Sequence, residues 1–177
     1  MTKVGWRVDV GRAATRHYLP DLVYGANDGI ITTFAVVSGV VGASLSTRVI
    51  LILGFANLVA DGISMGASNY LSRRSYAEAK DRAERSEAAK HGAATTLAFV
   101  VAGILPLLAY LFPVDADLEY GLAIVLTCTA LFVVGAARSF VTKLGWVRSG
   151  LEMLFIGALA ASVAYSIGAL AATLTDT

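Results

Sequence analysis

The sequence predicts an all-α membrane protein with five transmembrane helices, and three observations lead to this prediction. Of the 177 residues, 56% are hydrophobic and only 15% are charged, whereas soluble domains carry about 25% charged residues. Five stretches are apolar enough to cross a bilayer core, which needs about 20 residues in helix. Nearly all basic residues fall in alternate connections between these stretches.

The five apolar stretches define the predicted spans. The first runs from Gly29 to Leu45, and its helix can begin as early as Pro20, because proline suits the first position of a helix. The other four cover residues 49–71, 93–112, 120–141 and 150–174. The predicted layout is an N-terminal segment at 1–19, one membrane domain at 20–174 with a short cytoplasmic helical extension of the second span at 72–92, and a tail at 175–177.

The basic residues orient the predicted spans. Thirteen of the 14 Lys and Arg residues lie in the N-terminal segment, between spans two and three, or between spans four and five. Because basic residues concentrate in cytoplasmic connections, the N-terminus is predicted to be cytoplasmic and the C-terminus to lie on the opposite side. The net charge of +1 gives no reason to expect nucleic-acid binding.

Two acidic residues lie where a bilayer disfavours them. Asp61 is near the middle of the second span, where a carboxylate costs roughly 2.5–3.5 kcal/mol to insert, so it should face the protein interior or a wet cavity. Asp28 lies about two turns into the first helix if that helix starts at Pro20. Each has a structural alternative, since Asp28 could be a helix N-cap and Asp61 could hydrogen-bond a neighbouring helix.

Polar residues recur along the second span. Asn57, Asp61, Met65 and Asn69 are spaced four residues apart, so on a helix they form one stripe. Carboxylate oxygen suits hard divalent ions, and thioether sulfur favours softer ones. The stripe therefore predicts a cation path, and it favours Fe²⁺, and less strongly Mn²⁺, over Mg²⁺ or Ca²⁺.

The charged connection after the second span is predicted to continue as a helix to His91. Glu84, Glu87 and His91 would then share one face and could bind a metal weakly. The favoured alternative is a solvated helix, because Arg74 and Glu78 begin a series of oppositely charged i,i+4 pairs.

Three more polar residues are placed near the predicted cytoplasmic ends of the helices. Asp21, Glu152 and His17 could guide ions from the cytosol into the path, or they could be ordinary interfacial residues. The sequence contains no phosphate-binding loop, nucleophile motif or cysteine cluster, so it predicts neither an enzyme nor a bound cofactor.

Four segments resemble the vacuolar iron transporter family: Leu22–Ala35 (LVYGANDGIITTFA), Leu58–Gly66 (LVADGISMG), Phe99–Leu107 (FVVAGILPL) and Ser149–Leu154 (SGLEML). The resemblance extends from residue 18 to residue 168, and its first two motifs are specific. It implies a homodimer of five-span chains, a metal path at the two-fold interface and proton-coupled export of Fe²⁺ from the cytosol. It also implies a membrane metal site, which falls on Asp28 and Met65.

The sequence departs from that family in three places. The glutamate-rich cytoplasmic domain that full-length members insert between spans two and three is missing. A glutamate of the second span corresponds to Asn57, and Asp61 would supply the lost charge one turn later. A first-span proline corresponds to Thr33, so no proline kink is predicted there.

The sequence therefore predicts a divalent metal transporter that exchanges Fe²⁺, or Mn²⁺, for protons. Asp28 and Asp61 would bind either a metal ion or a proton, since burial favours the protonated acid and a bound cation favours the carboxylate. The expected location is a bacterial plasma membrane or a vacuole-like organelle membrane. Two other classes stay open, namely a membrane scaffold in which the acids only join helices, and a passive divalent-cation channel.

Overall fold

The computed structural model describes residues 4–79, 85–112, 116–140 and 144–175, and these ranges contain helices and connections without any strand. The helices are α1 (Val4–Gly42), α2 (Thr47–Ala79), α3 (Arg85–Gly103), α4 (Leu105–Leu108), α5 (Ala116–Arg138) and α6 (Trp146–Thr175). The prediction of an all-α fold is confirmed.

Four helical segments in the described ranges are long and apolar enough to cross a membrane. They are Thr47–Ala79, Glu87–Leu108, Leu118–Arg138 and Trp146–Thr175. They overlap the second to fifth predicted spans, but the segments at the third and fourth spans end at Leu108 and Arg138, before the predicted ends at residues 112 and 141. The protein is thus a polytopic helical membrane protein. Helix α1 is not among the four, so the crossing by the first predicted span stays a prediction.

Helix α1 packs at the centre of the bundle. It lies against α2, α3, α5 and α6, and its residues Ile30, Thr33 and Val37 are fully buried. Gly29 lies so close to α3 that a Cβ atom there would meet the carbonyl oxygen of Phe99. From residue 21 to residue 42, every α1 side chain except Tyr24 is buried or half-buried, so few of them would face lipid.

Helix α1 begins earlier than the sequence predicts. Its described part starts at Val4, and Pro20 lies inside the helix rather than at its first position. The proposed boundary between residues 19 and 20 is therefore not a boundary of secondary structure. Proline removes one intrahelical hydrogen bond, but the helix continues through it.

The predicted extension of the second span is wrong in its second half. Helix α2 extends to Ala79, and residues from Arg85 onward belong to α3, which runs back along α2. Gly66 of α2 therefore lies against Gly92 of α3, where a Cβ on either glycine would approach the other's carbonyl oxygen. The chain forms a helical hairpin here, not one long helix.

A proline interrupts the third predicted span. Helix α3 ends at Gly103, and the four-residue helix α4 follows after Ile104. Pro106 has no N–H for the intrahelical bond to the carbonyl of Ala102. The Leu107 and Leu108 amides both bond to the Ile104 carbonyl, at 2.9 and 3.2 Å, so the chain continues as a new turn.

The turn between α1 and α2 has a left-handed residue. The Leu45 amide bonds to the Val40 carbonyl at 3.1 Å, and the Ser44 amide bonds to the Val41 carbonyl at 2.9 Å. This pair of bonds is the Schellman arrangement, which places one residue in the left-handed region and usually uses glycine there. Here Ser44 takes that position with a φ of 56°.

Candidate metal sites

The polar stripe of α2 lies at the edge of a packed face. Its predicted members Asn57, Asp61 and Met65 are all half-buried, whereas Leu58 and Gly62 beside them are buried against the bundle. The opposite face of α2 is exposed and apolar, with Ile52, Leu53, Phe55, Val59 and Ile63. The stripe therefore separates the packed face of the helix from a face that no other described element covers.

Asp28 lies inside α1 and is half-buried. The alternative of a helix N-cap is wrong, because the helix extends in both directions from this residue. The hydroxyl of Thr32 donates to the backbone carbonyl of Asp28 at 2.8 Å. This hydrogen bond does not involve the Asp28 carboxylate. The carboxylates of Asp28 and Asp61 are close enough for electrostatic repulsion, so the fold brings the two acids into one region.

Met65 lines an open groove of about 470 Å³. Asp21 and Tyr24 of α1 line the same groove, together with the α2 residues Ser68, Asn69, Ser72 and Arg73. The thioether therefore faces a polar space between the first two helices. This groove extends from Met65 toward the end of the bundle that holds His17 and His91, which we call the histidine end.

Asn69, the last residue of the predicted stripe, is held in a hydrogen-bond network. Its amide nitrogen donates to Asp21 at 2.8 Å and to the Thr95 hydroxyl at 2.6 Å. Its amide oxygen accepts from Nε of Arg73 at 3.0 Å. All of its polar atoms are thus engaged within the protein, which favours a structural role over metal binding.

Asp21 is the centre of that network. It is 5% exposed and binds Nη2 of Arg73 at 2.9 Å. It precedes the predicted first span, and burial alone would raise its pKa. Hydrogen bonds from Asn69, His91 and Arg73, with the charge of Arg73, outweigh burial and hold the pKa of Asp21 below its usual value of 3.8. Asp21 is therefore a buried carboxylate that joins α1, α2 and α3.

The structure adds His17 to Glu87 and His91, which the sequence already placed on one helix face. His17 of α1 meets Glu87 and His91 of α3, and one ligand atom from each lies within 4.8 Å of the other two. The sequence placed Glu87 and His91 on one helix face and assigned His17 separately to a helix end. A usable signal was present, because these are the chain's two histidines and both precede an apolar span.

Two other predicted residues do not join this cluster in the structure. Glu84 lies outside the described residues. Glu152 of α6 accepts from Arg138 of α5 and Arg148 of α6, each at 3.3 Å. Both Glu152 oxygens are thus bound to guanidinium groups, and the residue ties α5 to α6.

The arrangement of four long apolar helices around α1 defines a multi-pass integral membrane protein. Its sequence matches the model of the VIT family over residues 19–90 and 77–169. The chain belongs to the VIT family.

The curated relatives divide into short and long matches. A vacuolar iron transporter of Toxoplasma gondii is 44% identical over 73 residues, which are 40% of this chain and 24% of that protein. Vacuolar iron transporter homolog 3 of Arabidopsis thaliana is 27% identical over 160 residues, covering 84% of this chain and 80% of the relative. Vacuolar iron transporter 1 of the same plant is 26% identical over 208 positions, covering 83% of each chain.

These matches agree with two sequence-based expectations. The last alignment is longer than this 177-residue chain, so it contains positions that the chain lacks, as a missing insert would require. The relatives are named as transporters, and the protein is not an enzyme. This chain matches only about a quarter of the length of the Toxoplasma protein.

Proposed function

We propose that this protein exports Fe²⁺, and less favourably Mn²⁺, from the cytosol in exchange for protons. The observation that carries the proposal is the pairing of two half-buried carboxylates, Asp28 and Asp61, in one region of an apolar bundle. Two acids that repel each other favour a cation between them or a proton on one of them. The names of the family relatives support iron as the substrate.

Met65 would make the site selective. It lies one turn after Asp61 on α2 and faces the groove between α1 and α2. A thioether adds a soft ligand that needs no deprotonation, which favours Fe²⁺ over Mg²⁺ or Ca²⁺. Asn57, one turn before Asp61, would contribute a neutral oxygen at the other end of the stripe.

Proton exchange has an energetic reason. Moving one charge across 100 mV is worth about 2.3 kcal/mol, so expelling a divalent ion from an inside-negative compartment costs about twice that amount. Protons entering at the same carboxylates would offset this cost. Asp28 and Asp61 would then act as the shared binding groups for metal and proton.

A second copy of the chain would complete the path. The exposed apolar face of α2 borders the polar stripe, so a two-fold contact through this face would place two stripes opposite each other. A closed two-fold dimer is the commonest symmetric assembly. In this arrangement α1 also crosses the membrane, as the first of five spans, and the N-terminus lies in the cytosol.

The test is metal flux in liposomes that contain the purified protein, with and without a pH gradient. Gradient-driven Fe²⁺ flux is expected, and Asp28→Ala and Met65→Ala should each abolish it. Thr129→Ala is the control, because Thr129 is exposed on α5 and its hydroxyl bonds only to the Val125 carbonyl in its own helix.

Each contrary result selects one of the other classes. Flux that ignores the pH gradient would indicate a passive channel. Absence of Fe²⁺ and Mn²⁺ flux in correctly inserted, folded protein would contradict transport and leave the scaffold as the better explanation.

A further inference from the structure

Three potential ligand atoms converge at the histidine end. Nε2 of His17 lies 3.0 Å from Oε2 of Glu87 and 3.1 Å from Nε2 of His91. The three side chains line a cavity of about 320 Å³. Ligand atoms bound about 2.1 Å from one metal ion lie roughly 3–3.4 Å apart, so these two separations match a shared ion, and the third, between Glu87 and His91, is within 4.8 Å.

The buried ring of His91 is oriented by Asp21. Its Nδ1 lies 2.6 Å from Oδ2 of Asp21, and both side chains are at most 5% exposed. A carboxylate can only accept hydrogen bonds, so Nδ1 of His91 carries the proton and donates it. In the neutral ring, Nε2 then presents a lone pair to the cavity. Metal-binding histidines commonly have this carboxylate partner.

Hydrogen bonds alone do not satisfy the cluster. Nε2 of His17 faces two acceptors, the Glu87 carboxylate and the Nε2 lone pair of His91. If His17 carries a proton on Nε2, its single N–H points well at only one of them. If it does not, a lone pair faces a carboxylate. One divalent cation would satisfy all three atoms together.

We infer that His17, Glu87 and His91 form a binding site for a borderline divalent cation such as Fe²⁺, with Asp21 as a positioning residue. Two imidazoles and one carboxylate with open positions suit non-haem Fe²⁺, and the same donors occur at zinc sites. Mg²⁺ and Ca²⁺ prefer oxygen ligands, so they should bind poorly.

Two positively charged side chains lie near the cluster, but neither occupies the position of a metal ion. Nζ of Lys90 lies 4.0 Å from Oε1 of Glu87, which is the oxygen that does not face His17. Arg73 lines the cavity, but its guanidinium binds both oxygens of Asp21. Each cation is thus paired with a carboxylate.

The position of the site suggests what it does. Its cavity shares Ser72 and Arg73 with the groove that contains Met65. The cluster would therefore hold a metal ion at the mouth of the proposed path, before the ion reaches Met65. This role rests on the proposed transport function, whereas metal binding by the cluster does not.

The first experiment follows the two imidazoles directly. Because the chain has only two histidines, ¹⁵N-histidine labelling of the intact protein in lipid nanodiscs reports on the imidazoles of this cluster. One equivalent of Co²⁺, used as a probe for Fe²⁺, should shift or broaden both rings together. A hundredfold excess of Mg²⁺ should not reverse the change. The same titration in Met65→Ala removes the long-range effect of a paramagnetic ion at the membrane site.

Variants separate binding from folding. His17→Ala and Glu87→Gln should each weaken Co²⁺ binding at least tenfold, and their side chains are 51% and 45% exposed, so the fold should persist. Glu78→Gln, at an exposed carboxylate paired with Arg74, is the matched control and should leave the affinity unchanged. Asp21→Asn should change which ring nitrogen of His91 is protonated, which a purely structural role would not predict.

The outcomes distinguish this site from the proposed transport. If Co²⁺ at 1 mM leaves both imidazole signals unchanged and they respond only to pH, the cluster shares a proton and the metal site is wrong. That result would leave liposome flux untouched. If Co²⁺ binds as expected but no variant or parent protein transports, the site stands and transport fails.

Discussion

Nδ1 of His91 lies 2.6 Å from a carboxylate oxygen of Asp21, although 70 residues separate them in the chain. The same carboxylate accepts from Asn69 and Arg73 of α2. One buried acid therefore joins α1, α2 and α3 at the histidine end.

Asp21→Asn should lower the stability of the protein by about 1.5–3 kcal/mol, because it weakens charge-assisted hydrogen bonds and leaves Arg73 without its buried partner. Thermal unfolding in detergent measures the change. Glu78→Gln removes an exposed carboxylate from Arg74 and should lower stability far less, because exposed ion pairs contribute little. Equal losses from both variants would contradict a special role for Asp21.

Gly29→Ala should destabilise the contact between α1 and α3. A methyl group there would meet the Phe99 backbone, which cannot rotate away, and overpacking of this kind costs about 1–3 kcal/mol. Gly121 is the matched control, because a Cβ there has nothing within 4 Å. Gly121→Ala should be neutral or stabilising by up to about 1 kcal/mol. The close approach of α1 would be wrong if both variants melted alike.

Ser44→Gly should raise the melting temperature. Ser44 has a φ of 56°, a conformation that costs a residue with a Cβ about 1–2 kcal/mol. Part of this gain is lost because glycine is more flexible in the unfolded chain, so the net stabilisation should be about 0.5–1 kcal/mol. Ser44→Ala keeps the backbone strain and should give no such gain. A rise with alanine too would point to the side chain instead.

Asp61→Asn should abolish metal flux and leave the fold intact. The amide keeps the shape and a hydrogen-bonding oxygen, but it cannot bind a proton or carry the negative charge that attracts a divalent ion. Flux assays and thermal unfolding on the same preparation separate the two effects. A large loss of stability without any effect on transport would support the alternative that Asp61 only joins helices.

Glu152→Gln should leave metal flux nearly unchanged. Its carboxylate is occupied by Arg138 and Arg148, so it is expected to tie α5 to α6 rather than to guide ions. Flux should remain within about twofold of the parent, and stability should fall by no more than about 1 kcal/mol, as for other partly exposed ion pairs. A strong loss of flux at unchanged stability would restore Glu152 as part of the ion pathway.

Most of the fold could be predicted because apolar runs report directly on helices in a bilayer. The second to fifth predicted spans each overlap a long apolar helical segment of the structure, and the all-α class follows from them. The start of α1 and the hairpin between α2 and α3 could not be predicted in the same way. Pro20 allows a helix to begin but does not force it, and alternating charges suit one long helix or the ends of two.

The candidate site was predictable only in part. The i,i+4 spacing of Asn57, Asp61 and Met65 is a property of one helix, so sequence reasoning found that stripe. The contact of His17 and Asp21 with His91 depends on how α1 packs against α3, about 70 residues away. Local periodicity contains no information about such a pairing.

The central position of α1 has a consequence for how the protein is made. The ribosome synthesises this helix before the other described helices, yet α1 is not among the segments that are long and apolar enough to cross a membrane. The helices that bury it, α3, α5 and α6, emerge later. We therefore expect α1 to settle in the membrane only once α3 has been synthesised, so that biogenesis depends on cooperation between early and late parts of the chain.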